Sequence, residues 1–357
     1  MVSNPESPLS KLLIAMPVAE ASDLHIVPGY RPMYRVHGDL RNADEKPLSS
    51  DEISTLLRAL MPPTAAARLD TDRDIDLAIQ IPGPSGPLRF RVNVFTDRGG
   101  RGACFRSIPT HVPTIDELGF SSEVAERILR YTNGLVLVSG ITGSGKTTSL
   151  AALIQMLNER GGYRIITIEE PIEYVYAMQP ASIITQREVG VDVGSFYDGL
   201  RYGLRQDPDV MLVGEIRDRE TAQLAMSAAE TGHLIFATMH TSDAKGAVTR
   251  MVDLFPMEMH DDIRSQLSMS LRAVVAQHLL PTSAGRRVLA METLFATFAV
   301  RSAIRQGKIE NLDTAIQSGR KDGMFSLDSD LRRLVTAGVI SMEVARTYAK
   351  DPAEFGA

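Results

Sequence analysis

Between residues 140 and 149 the chain reads Gly-Ile-Thr-Gly-Ser-Gly-Lys-Thr-Thr-Ser. This is the spacing G-x-x-x-x-G-K-[ST], and its chemistry is phosphate binding. The glycines let the backbone curl, so that the N–H groups of Thr142, Gly143, Ser144 and Gly145 turn inward on an anion, with Thr148 just beyond. Lys146 brings a point charge to the β and γ oxygens, and Thr147 offers a hydroxyl to Mg²⁺. The motif requires a strand before it and a helix after it. The apolar run LVLVS at 135–139 supplies the first, and the helical pattern TTSLAALIQMLNER supplies the second with its positive end. The loop by itself says only that phosphates are bound, and with its strand and helix it points to a nucleotide. It leaves kinases, GTPases, transporters and motors open.

Acids and histidines near other strand ends narrow the choice. In open α/β sheets ligands sit beyond the carboxyl ends of the strands. RIITIEEPIEY sets Glu169, Glu170 and Glu173 past one such end, and DVMLVGEIRD sets Glu215, Arg217 and Asp218 past another. A carboxylate there can hold Mg²⁺ or orient and deprotonate an attacking water; the plainer alternative is that these acids cap helices or pair with Arg217 and Arg219. His233 and His240 bracket a further strand, HLIFATMH. At about 3.3 Å per residue they stand roughly 20 Å apart, too far for one shared metal, and His240 is the one placed to sense a γ-phosphate.

These residues need a scaffold, and the chain supplies its pattern. Strand-like runs at 135–139, 164–169, 209–215 and 233–240 alternate with helical segments, which implies crossovers and a parallel sheet covered on both faces. Before them, residues 1–112 read as a small mixed α/β domain. It has a helix from SPLSKLLIAMPVAEA capped by Ser7 or Ser10, an alternating strand PMYRVHGDLR, a helix SSDEISTLLRALM, and the strands DIDLAIQI, LRFRVNVFTD and RGACFRSIP. The proline-containing stretch at 113–119 is expected to be the linker, and 120–357 the second domain, mostly helical from about 257 to the end.

Of the 357 residues 44% are hydrophobic, enough to bury two cores. The net charge of −6 argues against a nucleic-acid partner. A single cysteine, Cys104, excludes an intramolecular disulfide and fits a reducing cytosol. No run reaches the ~20 apolar residues of a membrane span, and the first residues lack the basic lead of a signal peptide, so work at a membrane would require docking.

Taken in order, ASDLH (21–25), GITGSGKTT (140–148), TIEEPIEY (167–174), DPDVMLVGEIRD (207–218) and AAETGHLIFATMHT (228–241) resemble the secretion and pilus ATPase superfamily, and within it the PilT-type twitching-motility (pilus-retraction) ATPases. QREVG (186–190) and GMFSLDSDL (323–331) extend the likeness along nearly the whole chain. The resemblance implies a PAS-like mixed α/β N-terminal domain and a RecA-like P-loop ATPase domain with a helical C-terminal extension. It further implies a homohexamer hydrolysing ATP with Mg²⁺ at subunit interfaces, cytoplasmic and peripheral at the inner membrane through a pilus platform protein. Carried onto this sequence, Lys146 and Thr147 are the phosphate and Mg²⁺ ligands and Glu173 the catalytic base. Glu215 stands in the Walker B role and shares the metal, and His233 and His240 form the histidine box. Arg91 and Arg106 are the arginines lent to the nucleotide by the first domain.

The sequence departs from that pattern at named positions. Glu170 stands where the family has aspartate. The C-terminal AIRNLIRE motif of retraction ATPases becomes Ala299-Val-Arg-Ser-Ala-Ile-Arg-Gln306, with Ser302, Ala303 and Gln306 for Asn, Leu and Glu. The paired CxxC module of pilus-extension ATPases is absent. The alternatives are a type II or type IVB secretion ATPase, and a nucleotide-binding scaffold with little hydrolysis.

Overall fold

The computed structural model describes residues 7–356 except 44, 85, 109, 110 and 284. The first residues, over which the lack of a leader was read, and Pro109 and Thr110 near the expected linker lie outside the described residues. Contacts divide the chain into two units, the first comprising residues 1–111 together with 171–175, the second 112–170 and 176–357.

The first unit is an antiparallel sheet with helices on one face. Its strands are β1 (Ala21–Ile26), β2 (Met33–Val36), β3 (Asp39–Asn42), β4 (Ile75–Gly83), β5 (Gly86–Asp97) and β6 (Gly100–Ile108), in the order β3-β2-β1-β6-β5-β4. Alternation decides the faces: Ile75, Leu77, Ile79 and Ile81 of β4 and Phe90, Val92 and Val94 of β5 point into a core shared with Leu9, Leu13, Ile53 and Leu57 of the helices Pro8–Ala15 and Ser50–Leu60. Ser7 caps the first of these helices, accepting from Ser10 N at 3.1 Å. The run PMYRVHGDLR, expected as one strand, is a hairpin. His37 and Gly38 both have positive φ (51° and 96°), the geometry of a tight turn, and fold β3 back onto β2. The other face of the sheet is polar. Arg91, Arg106, Asp23 and Arg35 lie side by side across β5, β6, β1 and β2 in paired register.

The second unit is built on β7 (Gly134–Ser139), β8 (Arg164–Glu169), β9 (Ile183–Glu188), β10 (Val210–Val213), β11 (Leu234–Met239), β12 (Leu271–Pro281) and β13 (Arg287–Phe295), in the order β13-β12-β7-β11-β10-β8-β9. All neighbours are parallel except β12 and β13. Every residue of β7, β10 and β11 is buried, as expected of strands covered on both faces. Two expectations gain detail here. After 257 helices outweigh strands, but β12 and β13 continue the central sheet between the helices His260–Ser270 and Phe298–Arg305. The stretch 113–119, expected as the linker, carries its own structure. Thr114 and Glu117 form a capping box on the helix Ile115–Leu118, Ile115 is buried, and the segment belongs to the second unit. Among the described residues no helix is long and apolar enough to cross a membrane.

Candidate functional site

The phosphate loop leaves β7 at Gly140. The helix Lys146–Arg160 starts on Gly145, whose φ of 90° few other residues tolerate, and no side chain caps it. The helices Arg219–Glu230 and Ala244–Asp253 differ, since Asp218 and Asp243 cap them by accepting from Thr221 N at 2.8 Å and Gly246 N at 2.6 Å. An uncapped helix start preceded by a glycine loop fits a bound phosphate, whose oxygens accept from the first-turn N–H groups. Lys146 is 8% exposed, and its Nζ donates to the carbonyls of Gly140 at 2.7 Å and Ile141 at 3.1 Å. Burial pushes its pKa down and the carboxylate of Glu215 pulls the other way. A desolvated ammonium hydrogen-bonded to neutral carbonyls fits an anionic ligand.

Beside this loop, the ends of β11 and β10 bring His240 and Glu215 together. Gly214 N donates to Ile168 O at 2.8 Å and its carbonyl accepts from Thr238 Oγ1, which fixes the turn that carries Glu215. The Glu215 side chain is 17% exposed, with Arg217 Nε at 2.8 Å and His240 Nε2 at 3.3 Å. Arg217 also reaches Glu170 at 3.1 Å, so the longer acid at that position serves an ion pair. Among the described residues no group of three or more His, Cys, Asp or Glu could hold a metal. Thr147 is half-buried on the first helical turn, and its hydroxyl and the Glu215 carboxylate are the groups that could hold a Mg²⁺ brought by phosphate oxygens.

Not every expected residue joins this cluster. Glu169 turns inward, accepting from Thr167 Oγ1 at 2.6 Å and Gln186 Nε2 at 3.2 Å, and Asp218 is a helix cap. His233 sits at the opposite end of β11, its Nδ1 3.1 Å from Ala228 O, and is not brought to the loop within this chain. Glu173 lies in the 171–175 segment grouped with the first unit, where its charge helps raise the pKa of Arg106. A hydrogen bond from Arg106 Nε to the buried Asp23 at 2.8 Å is the largest cause of that rise. Arg91 is half-buried beside Arg106 on the polar face. One residue near the loop escaped the sequence reading: Gln277 of β12, fully buried, whose Nε2 donates to Ser149 Oγ at 2.7 Å.

The chain resembles known proteins along nearly its whole length. The family model described as "Type II/IV secretion system protein" matches residues 5–341. The chain belongs to that family. It is 43% identical over 347 residues to the type IV pilus retraction ATPase PilT of Pseudomonas aeruginosa, covering 97% of this chain and 99% of that protein. A twitching motility protein of Neisseria gonorrhoeae is 41% identical over 341 residues, covering 95% and 90%. Among solved structures, the pilus retraction motor PilT with bound ADP superposes with a TM-score of 0.86 at 38% identity, covering 96% of this chain and 98% of that one.

Proposed function

We propose that this chain is an ATP-hydrolysing motor of type IV pilus retraction, working as a homohexamer docked on a platform protein at the cytoplasmic face of the inner membrane. The observation that carries this reading is the end-to-end likeness to PilT, 97% of one chain and 99% of the other, with the loop, Glu215 and His240 intact at adjoining strand ends. ATP is the substrate. The first-turn N–H groups and Lys146 bind its β- and γ-phosphates, and Thr147 and Glu215 would hold Mg²⁺, which when bound neutralises charge developing between those phosphates. His240, sharing Glu215 with Arg217, stands where the γ-phosphate is sensed. Glu173 deprotonates the attacking water, and Arg91 and Arg106, with His233, serve a subunit interface. Arginine suits that task because its charge is permanent and its fork matches phosphate oxygens. Loss of the γ-phosphate removes contacts at each interface and loosens it, so interfaces firing in turn displace an axial partner.

Deleting the gene tests the assignment: more and longer pili with loss of twitching are expected, whereas normal pili with lost secretion would overturn it in favour of a secretion ATPase. A phosphate-release assay on Glu173→Gln tests the base, since activity equal to the parent's removes Glu173 from the mechanism.

A further inference from the structure

β12 runs parallel to β7 with Ala276 level with Ser139, so the next residue, Gln277, stands beside Gly140, where the phosphate loop begins. Two parts of Gln277 approach the cradle, one at the start of the loop and one on the first turn of the helix that follows it. Its carbonyl oxygen lies 2.6 Å from where a Cβ on Gly140 would stand, and the Ser144 hydroxyl crowds the same point, so this end admits only glycine. Its side-chain Nε2 donates at 2.7 Å to Ser149 Oγ, and Ser149 N in turn donates to Gly145 O at 2.9 Å, where the helix takes off. The cradle is the backbone strung between these points, and one residue of a neighbouring strand walls the first and is hydrogen-bonded to the second.

The arrangement serves stability poorly. Gln277 and Ser149 are buried, yet Gln277 Oε1 makes no hydrogen bond among the described residues, and neither do the buried hydroxyls of Ser139 and Ser144. A half-satisfied amide in a core costs more than an apolar side chain of the same shape. Residues that break the rules of good packing are expected where geometry, rather than stability, is needed.

Resting on the reading of this loop as a nucleotide cradle, we propose that Gln277 is a positioning residue for ATP binding: it spaces the start of the loop from the first turn of its helix and so sets the aim of the phosphate-binding N–H groups. Gln277 touches no phosphate itself; it acts through Ser149 and Gly140.

The test uses the full chain and its Gln277→Met, Ser149→Ala and doubly substituted forms, with ADP affinity, KM and kcat for ATP, and melting temperature measured on each. Gln277→Met is expected to melt at or above the parent's temperature while its ADP affinity and kcat/KM fall about 10-fold, since small misplacements of binding groups carry large rate penalties. Ser149→Ala is expected to show the same fall, and the double variant no more than either single, because both cut one link. ADP affinity and kcat/KM within about 3-fold of the parent's in Gln277→Met would overturn the proposal; so would losses that add in the double variant. If Gln277→Met does not fold, its side chain is needed for the core rather than for aim, and Ser149→Ala with parental affinity then overturns the proposal as well. Failure of the parent itself to bind ADP would instead refute the nucleotide reading, which separates the two.

Discussion

Replacing Lys146 by alanine is the most direct trial of the site. The ammonium is desolvated and donates to the carbonyls of Gly140 and Ile141. When phosphates are bound it turns to them and gives up those bonds. An ammonium about 4 Å from one phosphate charge at an effective dielectric near 20 contributes about 4 kcal/mol. The two carbonyl bonds surrendered return roughly 1 kcal/mol each. The net of about 2 kcal/mol corresponds to a ~30-fold loss of ADP affinity. The readout is a pair of measurements, titration calorimetry and the nucleotide-induced rise in melting temperature. At a nucleotide concentration ~100 times the parent's Kd, binding stabilises the parent by about 2.7 kcal/mol and the variant by about 0.9 kcal/mol. The ligand-free variant should melt close to the parent, since it loses a buried charge and the neighbouring loop residue Ile141 is exposed. Equal nucleotide-induced shifts in the two proteins would refute the reasoning, because the buried ammonium would then face no phosphate.

Glu215→Gln keeps the shape of the strand end but drops the charge shared by Arg217 and His240, so kcat should fall about 100-fold or more in a phosphate-release assay while ADP affinity stays within a few-fold. Asp23 is buried; burial, the largest influence, pushes its pKa up, but hydrogen bonds from Ser22 and Arg106 outweigh it and hold the pKa below the usual carboxylate value. Its stabilisation is therefore present above the ordinary pKa of ~3.9 and is lost as pH falls through the lower folded value. The melting difference between parent and Asp23→Asn should be widest near neutrality and close below about pH 4; a difference constant across that range would contradict it. Lys350 Nζ sits 2.9 Å from Glu292, 3.4 Å from Asp243 and 3.7 Å from Asp313, and the Glu292 side chain is 2% exposed. Burial, the largest influence, pulls the Lys350 pKa down, and these carboxylates together bring it above its ordinary value. Lys350→Met should cost about 2 kcal/mol, allowing for partial exposure of the lysine, and lower the melting temperature by roughly 4–8 °C, with Glu292→Gln in the same chain recovering part of it.

Much of the site was readable because its chemistry is local. The loop needs glycine, lysine and threonine at fixed offsets, and the acids follow short apolar strands whose ends mark a sheet's ligand-binding edge. The first unit's strands β4, β5 and β6 were readable for a different reason, their strict alternation between one buried and one open face. What was lost had no such period. LRAVVAQHLLP and RVLAMETLF are covered on both faces, and their leucines, alanines and glutamine suit a helix equally well, so β12 and β13 read as helical. With β12 unseen, Gln277 could not be set beside Gly140. The helix at 115–118 was missed although its signal was present, a Thr114 followed three residues later by Glu117. The grouping of residues 171–175 with the first unit is a tertiary fact with no sequence signature, because Glu173 and Glu215 both follow strands in the same way.

β11 carries a histidine at each end, and its six residues are all buried between β7 and β10. A strand bonded on both sides in a close-packed interior cannot flex by itself. It holds His233 and His240 about 20 Å apart by its rise per residue, so neither histidine can shift along the strand without carrying its neighbours β7 and β10 with it.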